Sequence, residues 1–211
     1  MKYYSKEDIS ELTSRFRAHF INSVTGYKSS NLIGTKSEEG TSNLAVFSSV
    51  THLGSNPPLL GFVLRPTTVV RNTYDNLKKS GVFTVNHVNA DIIKQAHQTS
   101  AKYDSNVSEF SETRLTEEYL NDFKAPFVKE SSIKLGCVYQ NEYFLEENQC
   151  IFVIANIEHI YLDESIQSED GWLNLEEAGT VTASGLDAYA IPKILDRFSY
   201  AKPRKKAHSI K

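Results

Sequence analysis

Ile9, Leu12, Phe16 and Phe20 recur at helical spacing near the start of the chain, with polar residues between them. That stripe predicts one opening helix, N-capped by Ser5 with Asp8 three positions on, and Gly26 lies just beyond its end. The apolar period then shortens. Residues 31–36, 44–52 and 58–65 are expected strands, separated by turn-forming stretches at 37–40 and 54–58. Pro57 and Pro58 lack amide donors and so belong at a sheet edge or a strand start. A helix is predicted to open at Pro66-Thr67-Thr68 and to run to Lys79, with Gly81 ending it before a strand over 82–86. Residues 89–103 read as helical, and 104–125 as a polar excursion with a short helix over 116–120. Two longer apolar runs, 131–144 and 150–162, flank a polar turn at 146–149 and predict an antiparallel hairpin. Many short strands with few helices predict a mainly β fold, a small antiparallel barrel with helical decoration.

Composition narrows the class. The chain has 211 residues, a formal net charge of -3 and 40% hydrophobic residues. A single domain over 1–211 is the default, because a chain this long buries ~70% of its unfolded surface in one core. The β core is expected over about 20–162, with 203–211 a solvated basic tail. No apolar run is long enough to span a bilayer and the first residues lack the apolar stretch of a signal peptide, so the expected location is the cytoplasm. The near-neutral charge argues against a nucleic-acid surface. Cys137 and Cys150 fall on the two strands of the hairpin, where the register holds them apart, so both are expected to be reduced.

No phosphate loop, nucleophile elbow or metal-binding helix signature is present. The histidines at 19, 52, 87, 97, 159 and 208 lack ligand spacing, so no metal is expected and no catalytic residue is assigned. The informative stretch is 43–73. Arg65 precedes the expected helix start, Thr67 lies within it and Arg71 follows one turn on. Free amides, two arginines and hydroxyls together suit a phosphate group. The same pattern is equally compatible with Thr67 as a plain N-cap and with solvated arginines. Ser48, Ser49 and Thr51 put hydroxyls on an otherwise apolar strand, which suits either local backbone bonding or the rim of a polar heterocycle.

Gly34-Thr35, Asn43-Leu-Ala-Val-Phe-Ser48, Asn56-Pro-Pro-Leu59, Arg71-Asn-Thr73 with Asn76, Gly81-Val-Phe-Thr-Val-Asn86, Ser108-Glu-Phe110 and Ala125-Pro126 carry a resemblance. In their order and spacing the sequence resembles the flavin reductase-like family of FMN-binding split barrels, over about residues 20–162. The resemblance implies FMN held against the barrel at a homodimer interface, with FAD as the alternative flavin. It places ring contacts on Phe47, Ser48, Ser49 and Val50, phosphate contacts on Arg65, Thr67, Arg71 and Thr73, and Asn43 and Thr51 within the same site. Position 46 is valine where the family often has proline, and position 72 is asparagine where it often has aspartate. The implied activity is hydride transfer from NADH or NADPH to flavin N5, with reduced flavin passing to a partner oxygenase, another acceptor or oxygen. A flavin-binding carrier or sensor without its own turnover is the alternative. The open seam of a split barrel and the apolar run Ile151-Phe-Val-Ile154 lead to the expectation of a dimer burying over about 2,000 Å².

Overall fold

The structure is a computed structural model and describes residues 1–210. Its first turn forms as the sequence predicts. Ser5 Oγ accepts from the Asp8 amide at 3.1 Å and Asp8 Oδ2 accepts from the Ser5 amide at 2.8 Å, a reciprocal capping box. The apolar stripe, expected as one helix, is two: α1 (Lys6–Glu11) and α2 (Ser14–Val24). Leu12 turns extended between them, with ψ at 142°, and Arg17 Nη1 takes the freed carbonyls of Ser10 and Leu12 at 2.9 and 3.0 Å. Neither helix buries a residue, and Phe16 is half exposed.

Seven antiparallel strands form the main sheet: β2 (Asn31–Lys36), β3 (Ser42–Phe47), β4 (Thr51–Ser55), β5 (Pro58–Leu64), β6 (Val82–His87), β9 (Ile133–Leu145) and β10 (Cys150–Leu162). Their spatial order is β3-β2-β6-β9-β10-β5-β4. A split barrel follows, because the edge strands β3 and β4 are consecutive in the chain and joined only by residues 48–50. The stretch 44–52 is therefore two strands rather than one. Pro58 opens β5, as a residue without an amide donor should.

The core lies inside this curl. Ile33, Phe62, Phe83, Val85 and Val153 are fully buried, with Phe62 edge-on to Phe47 and Phe83 at centroid separations of 5.3 and 5.5 Å. Gly34 on β2 is required by close approach: a Cβ there would meet the Pro126 carbonyl oxygen at 2.3 Å and Thr84 Oγ1 at 2.6 Å. β9 and β10 pair from Cys150↔Leu145 to Leu162↔Ile133. Cys137 lies opposite Ile157 and Cys150 opposite Leu145, so the two thiols are apart and free.

Helix α3 (Asn72–Ser80) starts later than expected, since residues 66–71 form turns and Arg71 is its N-cap. The run Thr67-Thr-Val-Val70 is β-branched throughout, which restricts χ1 and lowers helix propensity. Gly81 ends α3 in the left-handed conformation at φ 72°. In the region expected to be helical over 89–103, a short 3₁₀ turn precedes α4 (Ile93–Gln98), and turns follow. The helix expected over 116–120 lies earlier, as α5 (Glu109–Thr113), which Arg114 ends at φ 60°. Residues 117–118 instead form β7 (Glu117–Glu118), paired with β8 (Phe127–Val128). A second small sheet joins β1 (Lys28–Ser29) to the hairpin β11 (Thr182–Ser184) and β12 (Ala188–Ala190). Among the described residues no helix is long and apolar enough to cross a membrane, and no cluster of side chains could hold a metal ion.

Candidate functional site

Where β3 ends, the chain crosses from one sheet edge to the other, and a groove of about 730 Å³ opens beside that crossing. Its floor comes from β3 and the crossing itself. One end is built by Arg65, at the close of β5, and by the 69–73 segment that leads into α3. The 99–103 segment after α4 and Glu109 add a further wall. The β11–β12 hairpin forms the roof, where Tyr189 meets His97. Gly185 brings that hairpin close to α2, because a Cβ there would stand 2.9 Å from Ser23 Oγ.

Of the residues singled out from the sequence, Asn43, Phe47, Ser48, Ser49, Arg65, Arg71 and Thr73 line this groove. Asn43 and Thr73 are both buried, and Asn43 Nδ2 donates to Thr73 Oγ1 at 3.0 Å, tying β3 to the first turn of α3. Asn76 Nδ2 repeats the tie one turn on, to Thr35 Oγ1 at 3.1 Å. The two serines differ. Ser49 Oγ donates to the Val63 carbonyl at 3.0 Å and accepts from the Val63 amide at 3.1 Å, so its hydroxyl serves as a rung that continues the β4–β5 ladder. Ser48, which also lines the groove, makes no side-chain hydrogen bond among the described residues.

Three expected residues do not line the groove. Val50 packs on the core beside β5. Thr51 opens β4, exposed and opposite Gly61. Thr67 is exposed in the turn before α3, because the helix on which it was placed begins five residues later.

Charge is distributed unevenly. Arg65 and Arg71 flank the turn that leads into α3, Lys102 also lines the groove, and none of the three pairs with a carboxylate among the described residues. Arg71 Nε donates to the Pro66 carbonyl at 3.3 Å, which holds the guanidinium against the turn. Cations so placed beside the amides of α3 favour an anion at that end. Glu109 is the one carboxylate of the lining. Its Oε2 accepts from the Leu44 amide at 2.9 Å, on the outer edge of β3 where no strand pairs, and burial raises its carboxyl above the ordinary range. At the roof, His97 Nδ1 and Tyr189 OH are 3.1 Å apart. Ser30, almost wholly buried, also borders the groove, and its hydroxyl has no partner. A groove with cations at one end, an unpartnered hydroxyl and a free Ser48 fits a ligand that is planar and polar at one end and anionic at the other.

A family model, the flavin reductase like domain, matches residues 28–180. The chain belongs to the flavin reductase-like family. A split-barrel-domain protein of Shewanella frigidimarina NCIMB 400, described as a flavin reductase, is 48% identical and superposes with a TM-score of 0.92, covering 95% of this chain and 100% of that one. Component B of nitrilotriacetate monooxygenase from Bacillus cereus is 20% identical with a TM-score of 0.82, covering 93% and 98%. An FMN-binding protein from Thermus thermophilus, with 1-cyclohex-2-enone bound, is 15% identical with a TM-score of 0.69, covering 91% and 96%. These two share the split-barrel fold.

Pattern alone missed Glu109, Lys102 and the roof hairpin. Glu109 stands within Ser108-Glu-Phe110, which carries the family resemblance without announcing a role. Lys102 lies in an exposed turn with no periodicity to mark it. The roof hairpin comes from more than a hundred residues downstream of β3, a distance that spacing in the sequence cannot bridge.

Proposed function

We propose that this protein is an FMN-binding oxidoreductase that works as an NAD(P)H-dependent flavin reductase, in the cytoplasm and as a homodimer. The observation that carries the reading is the two-arginine end of the groove beside α3, set against a polar and aromatic remainder that includes Ser48 and Phe47. Arg65 and Arg71 hold the phosphate, the first turn of α3 adds amides to it, and Lys102 adds a third cation to the lining. Ser48 and the backbone of the β3–β4 crossing border the ring, with the Asn43–Thr73 pair fixing the strand from which they project. Bound FMN supplies two-electron chemistry at N5, accepting a hydride from NADH or NADPH. The roof hairpin limits the access of water to the ring. The fold shared with the nitrilotriacetate monooxygenase component supports an oxygenase as recipient of the reduced flavin.

Titration with FMN and with riboflavin tests the phosphate end. Wild-type protein is expected to bind FMN far more tightly. Arg71→Ala should lose about 10- to 150-fold in FMN affinity, the worth of one charge-assisted hydrogen bond, with little change for riboflavin. Equal affinities for the two flavins in wild-type protein would end the assignment. Bleaching of the flavin absorbance by NADH or NADPH without air tests turnover separately.

A further inference from the structure

Beyond β12 the chain leaves the body as an anchored arm. The Ile194 amide donates to Glu176 Oε2 at 2.9 Å, and Arg197 bonds Asp170 at 2.5 Å with its guanidinium 4.3 Å from the centre of the Trp172 ring. Past this anchor the arm folds back on itself. The Ser199 amide donates to the His208 carbonyl at 2.9 Å, and the Ile210 amide to the Arg197 carbonyl at 3.0 Å. A two-stranded hairpin without further support is marginally stable in water. This one leaves Phe198 60% and Tyr200 88% exposed. Its bend carries Lys202, Arg204, Lys205 and Lys206, and none of them forms an ion pair among the described residues.

A second unfinished surface lies at the far end of β9 and β10. β6 pairs with β9 only as far as Val138, so no strand covers residues 140–145 on the side opposite β10. A free strand edge of this kind is normally shielded. Tyr143 and Phe144 there are 55% and 57% exposed, on opposite faces of the strand. Glu146 and Glu147, in the turn that follows, are exposed and form no ion pair among the described residues. One surface is aromatic and basic, the other aromatic and acidic.

We propose that the arm of each protomer docks on the β9–β10 tip of a second copy of this chain. Phe198 and Tyr200 cover the exposed aromatics, and the basic bend faces Glu146 and Glu147. The partner is a second copy because the complementary surface is present on this chain and stays uncovered while its own arm is held at Asp170 and Trp172. A two-fold axis then satisfies both arms and both tips at once. The proposal rests on the homodimer put forward above, and gives that dimer a specific clasp.

Sedimentation equilibrium of the full chain tests it. Reversing the bend (Lys202→Glu, Arg204→Glu, Lys205→Glu, Lys206→Glu) or the tip (Glu146→Lys, Glu147→Lys) should each raise the dimer dissociation constant about tenfold or more, and combining both sets should restore it. All six positions are exposed, so folding is not at stake. Unchanged constants, or no recovery in the combined variant, would overturn the clasp while leaving the dimer standing. A wild-type protein that is monomeric at all concentrations would overturn both. As a second measurement, Phe144→Cys with Tyr200→Cys should give, on oxidation, a disulfide between two copies. A 144–200 link confined within one chain would refute the exchange.

Discussion

At the residue scale, Ser48 and Ser49 are neighbours with the same hydroxyl and opposite duties. A strand alternates its side chains, so the sequence alone implies that only one of the pair can face a ligand. The structure shows which one is otherwise engaged, because Ser49 holds the amide and carbonyl of Val63. Ser49→Ala should therefore lower stability by about 1–3 kcal/mol in urea unfolding, since it leaves two backbone groups of β5 short of a partner. Ser48→Ala should leave stability within about 0.5 kcal/mol and weaken FMN binding instead. The reverse assignment of effects, or two silent variants, would show that the crossing does not border the ligand. Arg65, Arg71 and Thr73 were legible as groove residues because their chemistry is local to one turn of chain. Thr67 was misplaced for an equally local reason, since four β-branched residues in a row resist a helix opening at Pro66.

At the element scale, strands were read more accurately than helices. β2, β5, β6, β9 and β10 match their expected spans to within about two residues, because apolar runs bounded by Gly, Pro and Asn mark strands well. The opening stripe misled because apolar spacing alone does not register a two-residue break: Leu12 and Thr13 go extended between α1 and α2 while Ile9, Leu12, Phe16 and Phe20 keep their spacing in the sequence. The 44–52 run misled because nothing in Ser-Ser-Val distinguishes a crossing from a strand interior. Gly34 illustrates what pattern does not disclose. It reads as an ordinary strand residue, yet its missing side chain lets β2 lie against the 126 carbonyl. Gly34→Ala should cost about 2 kcal/mol or more in thermal or denaturant unfolding, since one contact is rigid backbone, whereas Ala at the half-buried Gly54, with a single contact at 3.2 Å, should cost less. Equal costs at the two sites would mean that β2 has room to shift.

At the scale of the whole molecule, the groove is walled on several sides by pieces of one chain, and the homodimer reading adds a second copy to that enclosure. FMN affinity should then depend on protein concentration, falling as the protein is diluted below its dimer dissociation constant. Fluorescence titration on either side of that constant measures it, and a monomer that binds FMN at full strength would refute the shared site. The order of strands carries a consequence of another kind. Because the two sheet edges are successive in the chain, the molecule has a built-in clasp at residues 48–50, fastened by the Ser49 hydroxyl on Val63 and by Ser29 Oγ, which donates to the Val50 carbonyl at 2.7 Å. Loosening it requires no strand to peel from the sheet, only the release of these three hydrogen bonds, worth about 1 kcal/mol each, and of the packing of Val50 on the core. A ring bound beside the crossing would add its own contacts to these and act as the pin that keeps the clasp shut.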